Sequence, residues 1–202
     1  MTCEVRNHSV ELLYWTGKMR QKIDEHIRSV QAIAGQIALL ERIAQRIIDC
    51  FASAGRVYLI GNGGSAADAQ HIAAELIGRF KKDRRPLPAI ALTTDTSTLT
   101  AVSNDLGFEQ VFERQIEALV THHDIVWALS VSGTSPSVVR GLQAARKKKA
   151  TVVGFTGASA NDFEQLCDLC FRVDHTSSDR VQEVHQLAYH LICEAVETHF
   201  SG

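Results

Sequence analysis

The chain has 202 residues, of which 45% are hydrophobic and 22% charged, and its formal net charge is −2. That is enough apolar material for one α/β domain with a helical extension, and too little positive charge for a protein built on electrostatic nucleic-acid binding. No signal peptide opens the chain and no apolar run is long enough to span a bilayer, so a cytoplasmic protein with no membrane partner is expected. The five cysteines, Cys3, Cys50, Cys167, Cys170 and Cys193, are scattered and odd in number, which suits a reducing compartment. Cys167 and Cys170 spell CxxC without the second pair a zinc knuckle needs, and Leu166, Leu169 and Phe171 around them point to strand and core packing. The basic runs Lys81 to Arg85 and Arg146 to Lys149 read as solvated surface.

From about Val10 to Ala54 apolar residues recur at helical spacing, among them Leu12, Leu13, Ile23, Ile27, Val30, Ile33, Ile37, Leu40, Ile43 and Ile47. Two helices outside the sheet are expected, covering the chain's own sheet or pairing with another subunit. From Val57 onward strands and helices alternate. Strands are predicted at Val57–Ile60, Ala89–Leu92, Ile125–Leu129, Thr151–Phe155 and Leu169–Val173. Helices are predicted at Ser65–Arg79, near Ser97–Asn104, and at Glu109–Thr121, Ser135–Lys148 and Ser178–Phe200. The alternation predicts a mostly parallel sheet with helices on both faces. Ligands of such sheets lie beyond the C-terminal strand ends, so the turns after Ile60, Leu92, Leu129 and Phe155 are where binding residues should collect.

The first of these turns, GNGGS from Gly61, joins a buried strand to a helix with Ser65 as the expected N-cap. Free N–H groups and the positive dipole end favour a phosphate or polyhydroxyl guest, although the turn matches neither GxGxxG nor GxxxxGK[ST]. The helix carries His71 and Glu75 at i, i+4, on one face, where a divalent ion could sit, although such a pair also occurs on ordinary helix surfaces. After Leu129 comes SVSGTSPS, with hydroxyls at Ser130, Ser132, Thr134 and Ser135 before a helix opening near Pro136 or Ser137. Hydroxyls and free N–H groups there can hold a phosphate without Lys or Arg, beyond what an ordinary capped turn requires.

From about residue 35 to the end the chain resembles the SIS (sugar isomerase) domain, and specifically the phosphoheptose isomerase family. The resemblance rests on GNGGSAADAQHIAAEL, on NDLGFEQVFERQIEAL from Asn104, on SVSGTSPS and on DRVQEVHQLAYHLICEAVE from Asp179, in the family's order and spacing. It implies a three-layer α/β/α sandwich with a five-stranded mostly parallel sheet, in which residues 1–54 are N-terminal helices for packing and oligomerisation and 55–202 form the SIS domain. It also implies a homotetramer whose active sites are shared between subunits.

The implied reaction is the ketose–aldose conversion of sedoheptulose 7-phosphate to D-glycero-D-manno-heptose 7-phosphate, toward lipopolysaccharide core or related surface glycans. The implied metal ligands are His71, Glu75, Gln182 and His190, holding one Zn²⁺ per subunit, with Glu75 and His190 as the acid–base pair. Gln182 and His190 are eight residues apart, about 12 Å along a straight helix, so a bend or a second subunit is needed if both reach one ion. The implied substrate contacts are Asn62, Gly63, Gly64, Glu75, Asn104, Asp105, Ser130, Val131, Ser132, Ser135 and Gln182, with Asp179 beside them. Family members often carry Thr at the position of Val131 and Asn at that of Thr134, so one phosphate-donating hydroxyl is missing here. His122, His123 and His185 are expected to be exposed or structural. The DnaA initiator-associating protein, a tetrameric adaptor, is similar through much of its length but lacks the acid at the position of Glu75 and the second His of the last helix. Retention of Glu75 and His190 favours an enzyme over that adaptor, and no DNA-binding module supports a sugar-phosphate sensor.

Overall fold

Runs of branched and aromatic residues too short and too apolar for surface helices form the strands of one sheet. A computed structural model describes residues 8–159 and 161–201, with the side chains of residues 8–13 and Asn161 also outside the description. The start of the expected N-terminal unit, residues 1–7, therefore lies outside the described residues, as do the side chains of Leu12 and Leu13. In chain order the elements are α1 (His8–Gln31), a 3₁₀ turn (Ala32–Gln36), α2 (Ile37–Ala52), β1 (Val57–Gly61), α3 (Gly64–Ile77), β2 (Ala89–Ala91) and α4 (Thr96–Leu106). A second 3₁₀ turn (Phe108–Gln110) leads to α5 (Val111–Leu119), β3 (Ile125–Ser130), α6 (Pro136–Lys147), β4 (Thr151–Thr156), α7 (Asn161–Leu166), β5 (Leu169–Arg172) and α8 (Ser178–Phe200). The short α7 is the one α-helix that the sequence reading omitted.

The strand order is β2-β1-β3-β4-β5 and all four pairings are parallel. Both faces are covered, and the strands alternate between them. Val57 and Leu59 of β1 join α2, α3 and α8 in one core, while Tyr58 and Ile60 join α5 and α6 in the other. Trp127 and Phe155 meet edge to face at 5.1 Å in the first core, both fully buried. Burial of each large side chain contributes about 1.5–3 kcal/mol. The result is the expected α/β/α sandwich.

The two N-terminal helices differ in how far they are buried. Ile43, Ala44 and Ile47 of α2 are buried in the α8 layer of their own sheet. On α1, Trp15, Met19, Ile23 and Ile27 recur every four residues and are 46–63% exposed. Cys167 and Cys170 behave as the packing residues expected: Cys170 lies in β5 and Cys167 Sγ donates to the Phe163 carbonyl at 3.2 Å. Burial pushes the Cys50 and Cys193 thiols up to about 12, so both stay protonated.

His185 is structural and fully buried, packed on Phe155 and Phe171 with Nε2 3.2 Å from the Thr156 carbonyl. Burial lowers its pKa to about 4, against the backbone hydrogen bond, from an ordinary 6.5. The unfolded chain therefore binds the extra proton first. Stability contributed by neutral His185 is complete above pH 6.5 and falls by about 3 kcal/mol as pH drops toward 4. Urea unfolding at pH 7 and pH 4.5 is expected to show a smaller acid loss in His185→Gln than in wild type, and equal losses would contradict this account.

Candidate active site

A doubly wound sheet of this order has its switch point between β1 and β3, the crevice in which ligands bind. Gly61 of β1 pairs with Leu129 of β3, so the residues that follow, Asn62 and Ser130, emerge side by side there. The Asn62 amide donates to Ser135 Oγ at 3.2 Å and Ser137 Oγ at 2.9 Å, tying the first glycine turn to the start of α6. Ser130 Oγ accepts from the Gly133 N–H and the Ser132 hydroxyl accepts from Thr134, which folds the SVSGTSPS turn back on itself. A cleft of about 320 Å³ results, lined among others by Asn62, Ser130, Val131, Ser132, Ser135 and Gln182. Residues at the starts of α3, α6 and α8 border it, including Ser65, Ser135 and Ser178. Helix N-terminal N–H groups and hydroxyls make it suited to a phosphate.

The helix start differs from the expected one. Gly63, not Ser65, is the N-cap of α3, with φ 55° and ψ −122°, a conformation open to glycine alone, and Ser65 lies buried inside the first turn. A serine is the usual cap, but here the backbone conformation of the double glycine sets the boundary. At Gly64 a Cβ would lie 2.5–2.8 Å from the Gln182 amide, the flexible end of that side chain, so a larger residue there displaces the amide from its place in the cleft.

A second cluster lies further along α3 and α8. His71 Nε2 is 3.0 Å from Glu75 Oε1, and the His190 ring meets His71 edge-on with centroids 5.0 Å apart. One donor atom from each of His71, Glu75 and His190 lies within 4.8 Å of the other two, so modest rotamer changes suffice to close on a divalent ion with bonds of about 2.0–2.2 Å. Behind His71, its Nδ1 is 3.0 Å from the Tyr189 hydroxyl, which lies 3.3 Å from Asp68 Oδ1. When Tyr189 donates to Asp68, its oxygen accepts Nδ1–H and leaves the Nε2 lone pair toward Glu75, the tautomer a metal ligand needs. Burial raises Asp68 to about 6, opposed by the Tyr189 hydrogen bond and by His71. Burial also lowers His190, helped by His71 and Lys81 and opposed by Glu75.

The pairing of Gly64 with Gln182 and of His71 with Tyr189 keeps one offset, so α3 and α8 run side by side in the same direction. Gln182 consequently stands at the cleft, about 12 Å of helix rise from His190 of the trio. Within one chain three of the four expected ligands come together, and the fourth lies with the serines. Asn104 and Asp105 sit at the exposed end of α4, hydrogen-bonded to each other at 2.7 Å and outside the cleft lining. Asp179 is exposed as well, and Ser177 donates to it. His122 and His123 are exposed. Ser137, Ser159, Thr176 and Ser178 were not singled out from sequence, although hydroxyls following β4 and β5 carry the same strand-end signal as those following β3.

Known proteins match this chain over most of its length. Residues 21–157 match the family model described as SIS domain. A phosphoheptose isomerase of Roseiflexus sp. (strain RS-1) is 49% identical over 182 residues, covering 88% of this chain and 92% of the relative. One of Aquifex aeolicus (strain VF5) is 47% identical over 186 residues, covering 89% and 96%. The solved phosphoheptose isomerase of Neisseria gonorrhoeae superposes with a TM-score of 0.86 at 34% identity, covering 91% of this chain and 99% of that one. A five-stranded parallel sheet with a hydroxyl-lined cleft at its switch point, and relatives alike over nine-tenths of their length, place the chain in the phosphoheptose isomerase family of SIS-domain proteins.

Proposed function

We propose that this enzyme isomerises sedoheptulose 7-phosphate to D-glycero-D-manno-heptose 7-phosphate in the cytoplasm, as the first step toward an ADP- or GDP-heptose for lipopolysaccharide core or surface glycans. The observation that carries the reading is the His71–Glu75–His190 trio in a chain that also builds a hydroxyl-lined anion cleft. Asn62, Gly63, Gly64, Ser130, Ser132 and Ser135 bind the sugar phosphate, and Val131 contributes only its backbone. Glu75 takes a proton from C1, the C–H electron pair becomes the C1=C2 bond of an enediol, and the carbonyl pair moves to O2. Returning the proton to C2, while His190 carries one from O1 to O2, completes the aldose. His71, Glu75 and His190 would hold a Zn²⁺ or similar ion, which supplies Lewis-acid stabilisation of the oxyanion.

The enzyme is a homotetramer in this reading, with Gln182 and the serine cleft of one subunit facing the trio of another. Support comes from the separation of Gln182 from His190 and from exposed Leu187 and Leu191 flanking them on α8. The exposed apolar stripe of α1 points the same way. Incubation with sedoheptulose 7-phosphate, followed by NMR, is expected to yield the aldose, and a chelator to slow it about 100-fold or more until Zn²⁺ is restored. Absence of aldose under every metal condition would overturn the proposal. Mixing inactive Glu75→Gln subunits with inactive Gln182→Ala subunits is expected to restore turnover. If mixed oligomers stay inactive, each site lies within one subunit.

A further inference from the structure

The segment following α3 is fastened to α8 by a buried carboxylate. Glu197, two turns beyond His190, accepts backbone N–H groups of Phe80 at 2.7 Å, Lys81 at 2.7 Å and Lys82 at 3.0 Å. Its partner is Arg84, whose Nε is 3.6 Å from Glu197 Oε1, and the two side chains are 1% and 2% exposed. The same guanidinium donates to the carbonyls of Glu75 at 2.7 Å and Gly78 at 3.1 Å, at the end of the helix that bears His71 and Glu75. One ion pair thus joins both helices that carry the trio. Its further consequence is the ring of Phe80, which lies nearly parallel to the His190 imidazole, 5.4 Å between centroids and 24° between planes.

A buried ion pair is a poor source of stability in itself, since desolvation offsets its attraction. What this pair does supply is direction: with both Glu197 oxygens engaged, the backbone of 80–82 has one position, and so has the ring attached to it. We propose that Glu197 and Arg84 are positioning residues for the reaction, acting through Phe80 to hold the His190 ring at the angle that aims it toward His71 and Glu75. The inference rests on the isomerase reading for the role of His190, while the clamp itself is defined by the contacts above. The energetic logic is that of outer contacts around a metal or acid–base histidine, whose loss typically costs 10- to 100-fold in affinity or activity.

The test uses the full-length protein and its Phe80→Leu, Phe80→Tyr and Glu197→Gln variants. In metal-free protein, the imidazole protons of His190, which also lie beside the Tyr189 ring 4.7 Å away, are expected to carry an added ring-current shift from Phe80 in wild type and Phe80→Tyr that is lost in Phe80→Leu and Glu197→Gln. Zn²⁺ affinity, measured by competition with a chromophoric chelator, is expected to fall about tenfold in Phe80→Leu and Glu197→Gln and to recover in Phe80→Tyr. The value of kcat is expected to fall by a similar factor with KM little changed. Phe80 is only half-buried, so Phe80→Leu leaves the fold intact even if Glu197→Gln does not. Wild-type His190 shifts, Zn²⁺ affinity and kcat in Phe80→Leu would overturn the proposal, as would a Glu197→Gln protein that loses thermal stability but keeps all three. If wild type itself fails to isomerise the sugar, the functional reading falls, and the metal-free shifts still decide whether the clamp exists.

Discussion

Glu75→Gln is expected to lower turnover of sedoheptulose 7-phosphate by about 10³-fold or more, with the fold and oligomeric state unchanged. The glutamine keeps the length of the glutamate and offers an amide N–H to the His71 nitrogen 3.0 Å away, and the position is a partly exposed one on α3, so packing has no reason to change. What is lost is the ability to accept a proton from carbon. General-base catalysis alone accounts for about 10²- to 10⁴-fold, and weakened metal binding adds to that. Because the phosphate cleft of the same chain lies about three turns away along α3, KM is expected to change little. Two measurements check this: NMR-monitored turnover, and exchange of the C1 hydrogen with deuterated solvent, which should vanish with it. Activity near wild type would remove Glu75 from the mechanism.

Gly64→Ala is the second large effect. Alanine is the better helix former by about 1 kcal/mol, so propensity alone predicts a gain in stability. The structure adds a cost in function, because the new methyl would stand 2.5–2.8 Å from three atoms at the flexible end of the Gln182 side chain. That amide swings out of its place while the backbone of α3 stays, so stability is expected to change by no more than about 1 kcal/mol. The move misplaces a group that lines the phosphate site, and kcat/KM is expected to fall about 10²-fold, mostly through KM. Thermal unfolding and steady-state kinetics of Gly64→Ala, Gln182→Ala and the double variant form a closed cycle. The double variant is expected to be as active as Gln182→Ala alone. If Gly64→Ala lowers activity further in that background, displacement of Gln182 is not the cause.

Most of the fold was legible because its strands are buried on both faces. Val57–Ile60, Ile125–Leu129 and Thr151–Phe155 are runs of Val, Ile, Leu and aromatic residues that no amphipathic helix would show, and each is a strand within a residue of the prediction. The helix α7 was missed because six residues, Asn161–Leu166, are too few to display a 3.6-residue period. At the cleft, Ser130, Ser132 and Ser135 were legible from the rule that parallel strands deliver ligand groups at their C-terminal ends, whereas Asn62, inside the turn that the rule marks, was named by resemblance. Asn104 and Asp105 came only from resemblance, and within one chain they lie away from the cleft, on the exposed end of α4.

Local chemistry in the sequence determined the elements, the strand-end hydroxyls and the placement of His71 with Glu75, since each depends on residues a few positions apart. Only the tertiary structure decided which faces of α3 and α8 meet. That single parallel packing puts Gln182 against Gly64 and His190 beside His71, separates the expected ligand set into two groups, and brings Tyr189, Phe80 and Glu197 around the trio. Helix periodicity says which residues share a face, but the register between two helices 100 residues apart is set by side-chain packing over their whole length, which no local pattern records.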